Sequence, residues 1–444
     1  MGDRLAIVGG DAAGMSAATN AHRRDPELEI VAFERGPHTS YSACGIPYYV
    51  GGLVDDLDAL VARSPEQHRA NGIDVRTGAE VVGIDLDRRE LTLHDGAVEP
   101  FDRLVVATGA RAVAPPIPGA DATEPARTLD AAQRFRDQLD RDGHDAVVVG
   151  AGYIGLEMAE ALVQRGMHVA LVDQAEEVFP ALDADMGAHV REAAEGLGIE
   201  VHTSTSVDEV LLDDDGAPRG VRTTAGELPA RHVVLATGVR PDVELARAAG
   251  LRTGPTGALD VDDGQRCPGA DGVWAAGDCV ESRHRVLERP VNVQLGTHAN
   301  KQGRIAGANA AGGSLTFPGV IGTAISRLCR REVALTGVTE AQAREAGFDV
   351  VCETAETNSR ATYFPGSGPV WVKLVAERRT GRLLGAQIVG AETAGKRIDT
   401  LAMAVWTDMA VDELQWVDLG YAPPVSGVLD PVLVAARIAA RRVS

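Results

Sequence analysis

At 444 residues, 45% of them hydrophobic and only 4% aromatic, the chain is too long for one ordinary domain, and two or three are expected. Lys and Arg total 43 against 64 Asp and Glu, a net charge of −21 that argues against nucleic acid and against an anionic membrane surface as partners. The cysteines at 44, 267, 279, 329 and 352 show no CxxC pair and no metal-ligand spacing, so no metal site is predicted. Leu5–Val8 is too short for a signal core, and no apolar run is long enough to span a bilayer. The chain therefore reads as a soluble cytoplasmic protein of a reducing compartment, with Cys267, Cys279, Cys329 and Cys352 as packing or surface residues.

The first predicted strand, Leu5–Val8, runs into Gly9-Gly10-Asp11-Ala12-Ala13-Gly14 and an Ala-rich helix to about Arg23. This is a GxGxxG frame with Asp11 in place of its middle glycine. The N–H groups and positive dipole end of such a helix suit a pyrophosphate. Strand Ile30–Phe33 then ends in Glu34, followed by Arg35, with the acid placed to accept from an adenosine ribose. Next comes Ser40-Tyr41-Ser42-Ala43-Cys44-Gly45-Ile46-Pro47-Tyr48-Tyr49. No second thiol follows Cys44, so its sulfur chemistry must be monothiol: a mixed disulfide with a small thiol, or a sulfenic acid. A helix predicted from Gly45 beyond Tyr48 would put Cys44 at a helix N-terminus and lower its pKa.

Farther on, strand Leu104–Val106 leads into Ala107-Thr108-Gly109. The nucleotide unit then recurs: strand Ala146–Val149, the full frame Gly150-Ala151-Gly152-Tyr153-Ile154-Gly155, helix Leu156–Gln164, and strand Val169–Val172 ending in Asp173. A carboxylate there pairs with a free 2′-hydroxyl and repels a 2′-phosphate, which predicts NADH over NADPH. Val233–Ala236 with Thr237-Gly238 matches the earlier strand-to-glycine turn. The segment from Asp271 through Gly277 to Asp278 delivers an acid suited to a flavin ribitol or phosphate-side hydroxyl. From about Phe317, strands (Val333–Gly337, Val370–Leu374, Leu383–Val389) and helices (Lys396–Met409, Asp430–Arg442) predict an antiparallel α+β module.

Over its whole length the sequence resembles the FAD-dependent pyridine nucleotide-disulfide oxidoreductase family, and within it the single-cysteine branch of coenzyme A disulfide reductases, NADH oxidases and peroxidases, and persulfide reductases. The resemblance implies an α/β fold of two Rossmann-like domains plus a C-terminal α+β dimerisation domain. The expected ranges are 1–110 with 240–317 for FAD, 111–239 for NAD(P)H, and 318–444 for a homodimer interface. Electrons are expected to pass from NADH through FAD to a sulfur bonded to Cys44, from a small-molecule disulfide or persulfide, with coenzyme A disulfide first.

Several site residues follow from the resemblance alone. Tyr153 matches a position whose ring covers the nicotinamide pocket, although packing against the helix start is an equal alternative; Glu157 is expected at the nicotinamide amide or as a surface carboxylate. Tyr363 and Tyr421 match tyrosines that approach the cysteine across the dimer, with a plain core or interface tyrosine as the alternative for each. Arg23, Ser40 and Asn300 fall on positions that hold the coenzyme A thiol, and Arg24, Lys301 and Arg304 add basic charge nearby. Two departures weaken that match: Ala43 stands where Asn is common, and Leu429 where a basic residue is expected. Ala12 replaces the histidine of the peroxidases and oxidases, which weighs against an NADH oxidase working through a Cys44 sulfenic acid. An electron-transfer flavoprotein reductase is the third reading, and it does not need Cys44.

Overall fold

The computed structural model describes residues 3–113, 115–123, 127–141 and 143–443; residues 1 and 444, the outer limits of the expected domains, lie outside that set. Five parallel strands form the first sheet, in the spatial order Val273–Ala275, Arg103–Val106, Arg4–Val8, Glu29–Glu34, Asp74–Thr77. Leu5, Ala6 and Ile7 in its central strand are fully buried, as a parallel sheet covered on both faces requires. Two distant stretches of chain build this sheet, because the strand before Asp278 returns to pair with Arg103–Val106. On one face the helix Ala12–Arg24 lies against Gly296–Ala310. The two backbones approach so closely that a Cβ on Gly303 or Gly307 would strike the carbonyl oxygen of Ala13 or Ala17.

The second sheet is also parallel, in the order Glu200–His202, His168–Val172, Asp145–Val149, His232–Leu235. Its glycine-loop helix spans Tyr153–Gln164, a turn earlier than predicted, with Gly152 as its extended N-cap. Strands Ala110–Ala112 and Val239–Pro241 pair antiparallel where the chain enters and leaves this unit. The third sheet is antiparallel, in the order Ala324–Leu328, Arg331–Gly337, Leu383–Gly390, Pro369–Glu377, Val350–Asn358. The predicted helix Lys396–Met409 is shorter, Ile398–Trp406, and Asp408 beyond it adopts a left-handed φ of 55°. The last helix is Pro431–Ala440, capped by Asp430, whose carboxylate accepts from Val432 N at 2.9 Å.

The three units share one apolar core. Ile46, Tyr49 and Val50 from the first pack with Leu156 and Met158 from the second and with Leu328, Val333 and Val389 from the third. A polar cluster reinforces the contact between the last two: Lys373 reaches Asp183 and Asp185, and His189 stacks on Trp371 with ring centroids 3.9 Å apart.

Candidate active site

The two glycine loops are built alike. Gly9 adopts φ +114°, and a Cβ there would collide with the carbonyl oxygen of Ala107, which explains why Ala107-Thr108-Gly109 lies beneath the loop. Glu34, at the tip of its strand, accepts from Gly10 N and from Gly36 N, both at 2.8 Å. Asp173 does the same in the second unit, accepting from Ala151 N at 2.6 Å and Ala175 N at 2.8 Å. Each carboxylate thus holds its own loop in shape and still has lone pairs to spare.

Asp11, Ala12, Ala13 and Gly14 open the first helix, and Tyr153, Ile154 and Gly155 open the second. Asp11 faces Glu34 and Asp278; burial and these like charges push its carboxyl up to about 6. Asp278, beside Gly277, is also pushed up by burial, while the Arg127 guanidinium opposes the rise. Arg127 is a residue the sequence reading missed. It faces Asp278 and Tyr41 from the second unit, and its Nη1 is buried without a hydrogen-bond partner among the described residues. Such an orphaned cationic donor, beside a glycine loop and two acids, fits a flavin dinucleotide with its paired phosphates and hydroxyls. Arg35 pairs with Asp242 at 3.9 Å, and Thr108 Oγ1 donates to the Asp242 carbonyl at 2.5 Å, closing the same cradle. The matching glycine turn of the second unit is Gly238, φ +96°.

Cys44 corrects one expectation. It lies in a 3₁₀ turn, Ala43–Gly45, that leads into the helix expected beyond Tyr48, but that helix, Ile46–Val50, is only five residues long. The predicted lowering of its pKa is not found. Although solvent reaches the residue, burial on its inner side pushes the thiol up, Glu157 adds to this, and Asp278 and Asp11 contribute less. Only a backbone hydrogen bond opposes the rise, because so short a helix supplies little dipole. Of the other cysteines, Cys267, Cys279 and Cys329 are buried and Cys352 is partly so.

Glu157 is not a surface carboxylate. It is half-buried, its Oε1 accepts from Ser326 Oγ at 2.5 Å, and burial pushes its carboxyl up. One turn on, buried Glu160 accepts from Cys329 N at 2.8 Å. Both contacts cross from the second unit to the C-terminal sheet. With Tyr48, Arg327 and the apolar Pro47 and Leu53 these two acids line a small cleft, and Glu157 is near enough to Cys44 to raise its thiol pKa. Tyr153 packs edge-on against Phe179, with ring centroids 4.4 Å apart.

Ser40, Asn300 and Arg23 do not converge on one point. Ser40 N donates to Gly10 O at 3.1 Å, at the start of the first helix. Asn300 lies beside Ser16, whose hydroxyl donates to its carbonyl at 2.9 Å. Arg23 projects from the last turn of that helix, about 10 Å beyond Ser16 along the axis. The three therefore mark a track along the helix, with exposed Lys301 and Arg304 across from it. The loops bearing Tyr363 and Tyr421 are neighbours, joined by Ala361 N donating to Pro423 O at 3.2 Å, and both rings are exposed (76% and 50%). Leu429 is exposed on the same stretch. Among the described residues no helix is long and apolar enough to cross a membrane, and no group of side chains could hold a metal ion.

Residues 3–303 match the family model for the pyridine nucleotide-disulphide oxidoreductases, and residues 324–432 match that family's dimerisation domain. The NAD(P)H sulfur oxidoreductase (CoA-dependent) of Pyrococcus abyssi is 37% identical over 443 residues, covering 98% of this chain and 97% of that protein. The coenzyme A disulfide reductase of Staphylococcus aureus (strain MSSA476) is 27% identical over 436 residues, covering 95% and 96%. The solved NAD-dependent persulfide reductase from A. fulgidus superposes with a TM-score of 0.94 at 38% identity, covering 99% of this chain and 83% of that one. With both nucleotide loops, the returning Asp278 strand and the C-terminal sheet in place, the chain belongs to the pyridine nucleotide-disulphide oxidoreductase family.

Proposed function

We propose that this protein is an NADH-dependent, FAD-containing reductase that acts through Cys44 on small-molecule disulfides or persulfides, with coenzyme A-linked sulfur as its first substrate. The observation that carries this reading is a solvent-reached thiol beside the flavin cradle with no second cysteine in the same segment. The overall balance is NADH plus one proton plus RSSR giving NAD⁺ and two RSH; a persulfide RSSH gives RSH and H₂S instead. FAD, when bound, supplies the two-electron relay between the dihydronicotinamide and sulfur.

The chain's own residues do the rest. The two helix N-termini hold the dinucleotide phosphates, while Glu34 and Asp173 take the riboses. Asp173 disfavours a 2′-phosphate, so NADH is the preferred donor. Tyr153 covers the nicotinamide side and Glu157 reaches its amide. Cys44 Sγ holds one half of the substrate as a mixed disulfide. Tyr421 and Tyr363, brought from the partner of a homodimer, donate a proton to the departing thiolate. Their exposure in the single chain and their shared loop contact support that assignment. The track of Ser40, Asn300 and Arg23 suits a long, anionic thiol.

Anaerobic NADH oxidation with coenzyme A disulfide, and separately with coenzyme A persulfide, tests this reading beside an aerobic sample containing neither. Cys44→Ser is expected to cut sulfur reduction about a thousandfold or more while leaving FAD bound and NADH-to-dye transfer intact. Turnover that survives the substitution, or turnover only with oxygen, sinks the monothiol mechanism; equal efficiency with NADPH sinks the role of Asp173.

A further inference from the structure

Ser40 adopts a backbone conformation that serine rarely takes unaided. Its φ is +49°, in the left-handed region, and both of its backbone groups are engaged: its N–H with Gly10 O, and its carbonyl with Ala62 N at 2.9 Å. Behind its side chain stands a residue that the sequence reading did not single out. Ser40 Oγ lies 3.0 Å from His68 Nε2. His68 is 1% exposed and sits on the short helix Pro65–Ala70, whose start is fixed by a Ser64–Gln67 capping box.

The tautomer of His68 follows from its surroundings. Its Nδ1 is buried with no hydrogen-bond partner among the described residues. A buried N–H without an acceptor is the rarer and more costly orphan, so the proton belongs on Nε2. Burial and the Arg63 guanidinium both hold the imidazole below its ordinary pKa, so the ring is neutral. Neutral His68 therefore donates through Nε2–H to Ser40 Oγ. The serine's own hydrogen must then find an acceptor elsewhere. Ser40 is only half-buried, lies against the first glycine loop, and precedes Cys44 by four residues.

We propose that His68 is a positioning residue that makes Ser40 a fixed hydrogen-bond donor to a substrate carrying a carbonyl acceptor a few bonds from its sulfur, such as an acylated aminoethyl thiol. This rests on the reading of Cys44 as the residue that carries the thiol. It adds a selection rule to that reading: acylated thiols are favoured over bare aminothiols by the Ser40 hydroxyl, and only while His68 holds it.

Pantethine and cystamine separate the two cases, since both are disulfides of the same aminoethylthiol unit and only pantethine is acylated. In the FAD-loaded enzyme, Ser40→Ala and His68→Phe should each lower kcat/KM for pantethine about tenfold relative to that for cystamine, mostly through KM. His68→Gln, whose amide N–H reaches the Nε2 position, should restore most of the loss. Equal losses on both disulfides, or full pantethine activity in Ser40→Ala, would falsify the inference. Wild-type enzyme that reduces coenzyme A disulfide but neither of these disulfides overturns the inference, whereas one that reduces none of the three refutes the Cys44 reading instead. In that event ¹⁵N spectra of histidine-labelled holoenzyme decide the His68 assignment alone: a proton on Nε2 upholds it, and a proton on Nδ1 or on both nitrogens overturns it.

Discussion

Replacing Lys373 with Met tests what holds the second nucleotide unit to the C-terminal sheet. Lys373 Nζ lies 2.8 Å from Asp185 Oδ1, 3.1 Å from Glu340 Oε2 and 3.2 Å from Asp183 Oδ2, and the lysine side chain is 6% exposed. Asp183 and Asp185 sit at the start of helix Ala184–Gly196, so the cluster spans two units. Methionine keeps most of the packing but leaves three carboxylates without their cation. Removing one partner of a buried ion pair costs about 3–5 kcal/mol. Here Asp183 is 10% exposed, but Asp185 is 54% and Glu340 30% exposed, so water screens part of the repulsion. A loss of about 2–4 kcal/mol is therefore expected near neutral pH.

The pH dependence has a definite sign. The Glu340 carboxyl is held below the usual carboxylate range, first by Arg344 and also by Lys373. In the wild type this stabilisation is present above the unfolded carboxylate pKa and is lost as pH falls through the folded one. In Lys373→Met the same carboxylates repel each other, and protonation relieves them. The gap between the two proteins must therefore narrow as pH falls from the unfolded carboxylate value of 4.5 through the folded one. Urea unfolding followed by tryptophan fluorescence reads this, because Trp371, one of the chain's four tryptophans, stacks on His189 across the same interface. A gap below about 1 kcal/mol near neutrality, or one that widens in acid, refutes the reasoning.

Two further outcomes concern the flavin cradle. Asp11, pushed up to about 6, favours its neutral form in the folded protein, so its contribution is complete below the unfolded value of 3.8 and is lost as pH rises through the folded one. Flavin-free Asp11→Asn should consequently show a flatter stability profile between those values and gain about 1–3 kcal/mol at pH 8, by urea midpoint; a loss there contradicts the assignment. Arg127→Met removes the orphaned buried donor and should weaken FAD retention about tenfold to a hundredfold, measured by equilibrium dialysis. Unchanged retention would place Arg127 outside the dinucleotide site.

Much of this protein is written in short, local patterns. A strand, a glycine turn, a helix and a terminal acid occur twice in order, and each piece has its own physical reason: no Cβ at the tight turn, exposed N–H groups at the helix start, a carboxylate at the strand tip. That is why Glu34 and Asp173 were found from the sequence and turn out to make the same pair of loop contacts. The absence of a second thiol near Cys44 is equally local, and it is what turns the proposal for that residue toward monothiol chemistry. The helix after Cys44 is equally legible, but how short it is, ending at Val50 where the chain turns back at Gly51 and Gly52, limits the dipole it brings to the thiol.

Only the tertiary structure decided which distant groups meet. Arg127, Ser326 and Cys329 lie in segments with no nucleotide pattern, yet packing brings them to Asp278, Glu157 and Glu160. His68 reaches Ser40 across 28 residues of sequence. The raised Cys44 thiol follows from the same cause: burial raises it first, and Glu157, Asp278 and Asp11, carboxylates from three separate segments, add to the rise. Sequence determines such junctions one at a time, because turn and helix chemistry act over a few residues. Electrostatics and burial act through space, and so the state of the thiol was settled only when the units packed together.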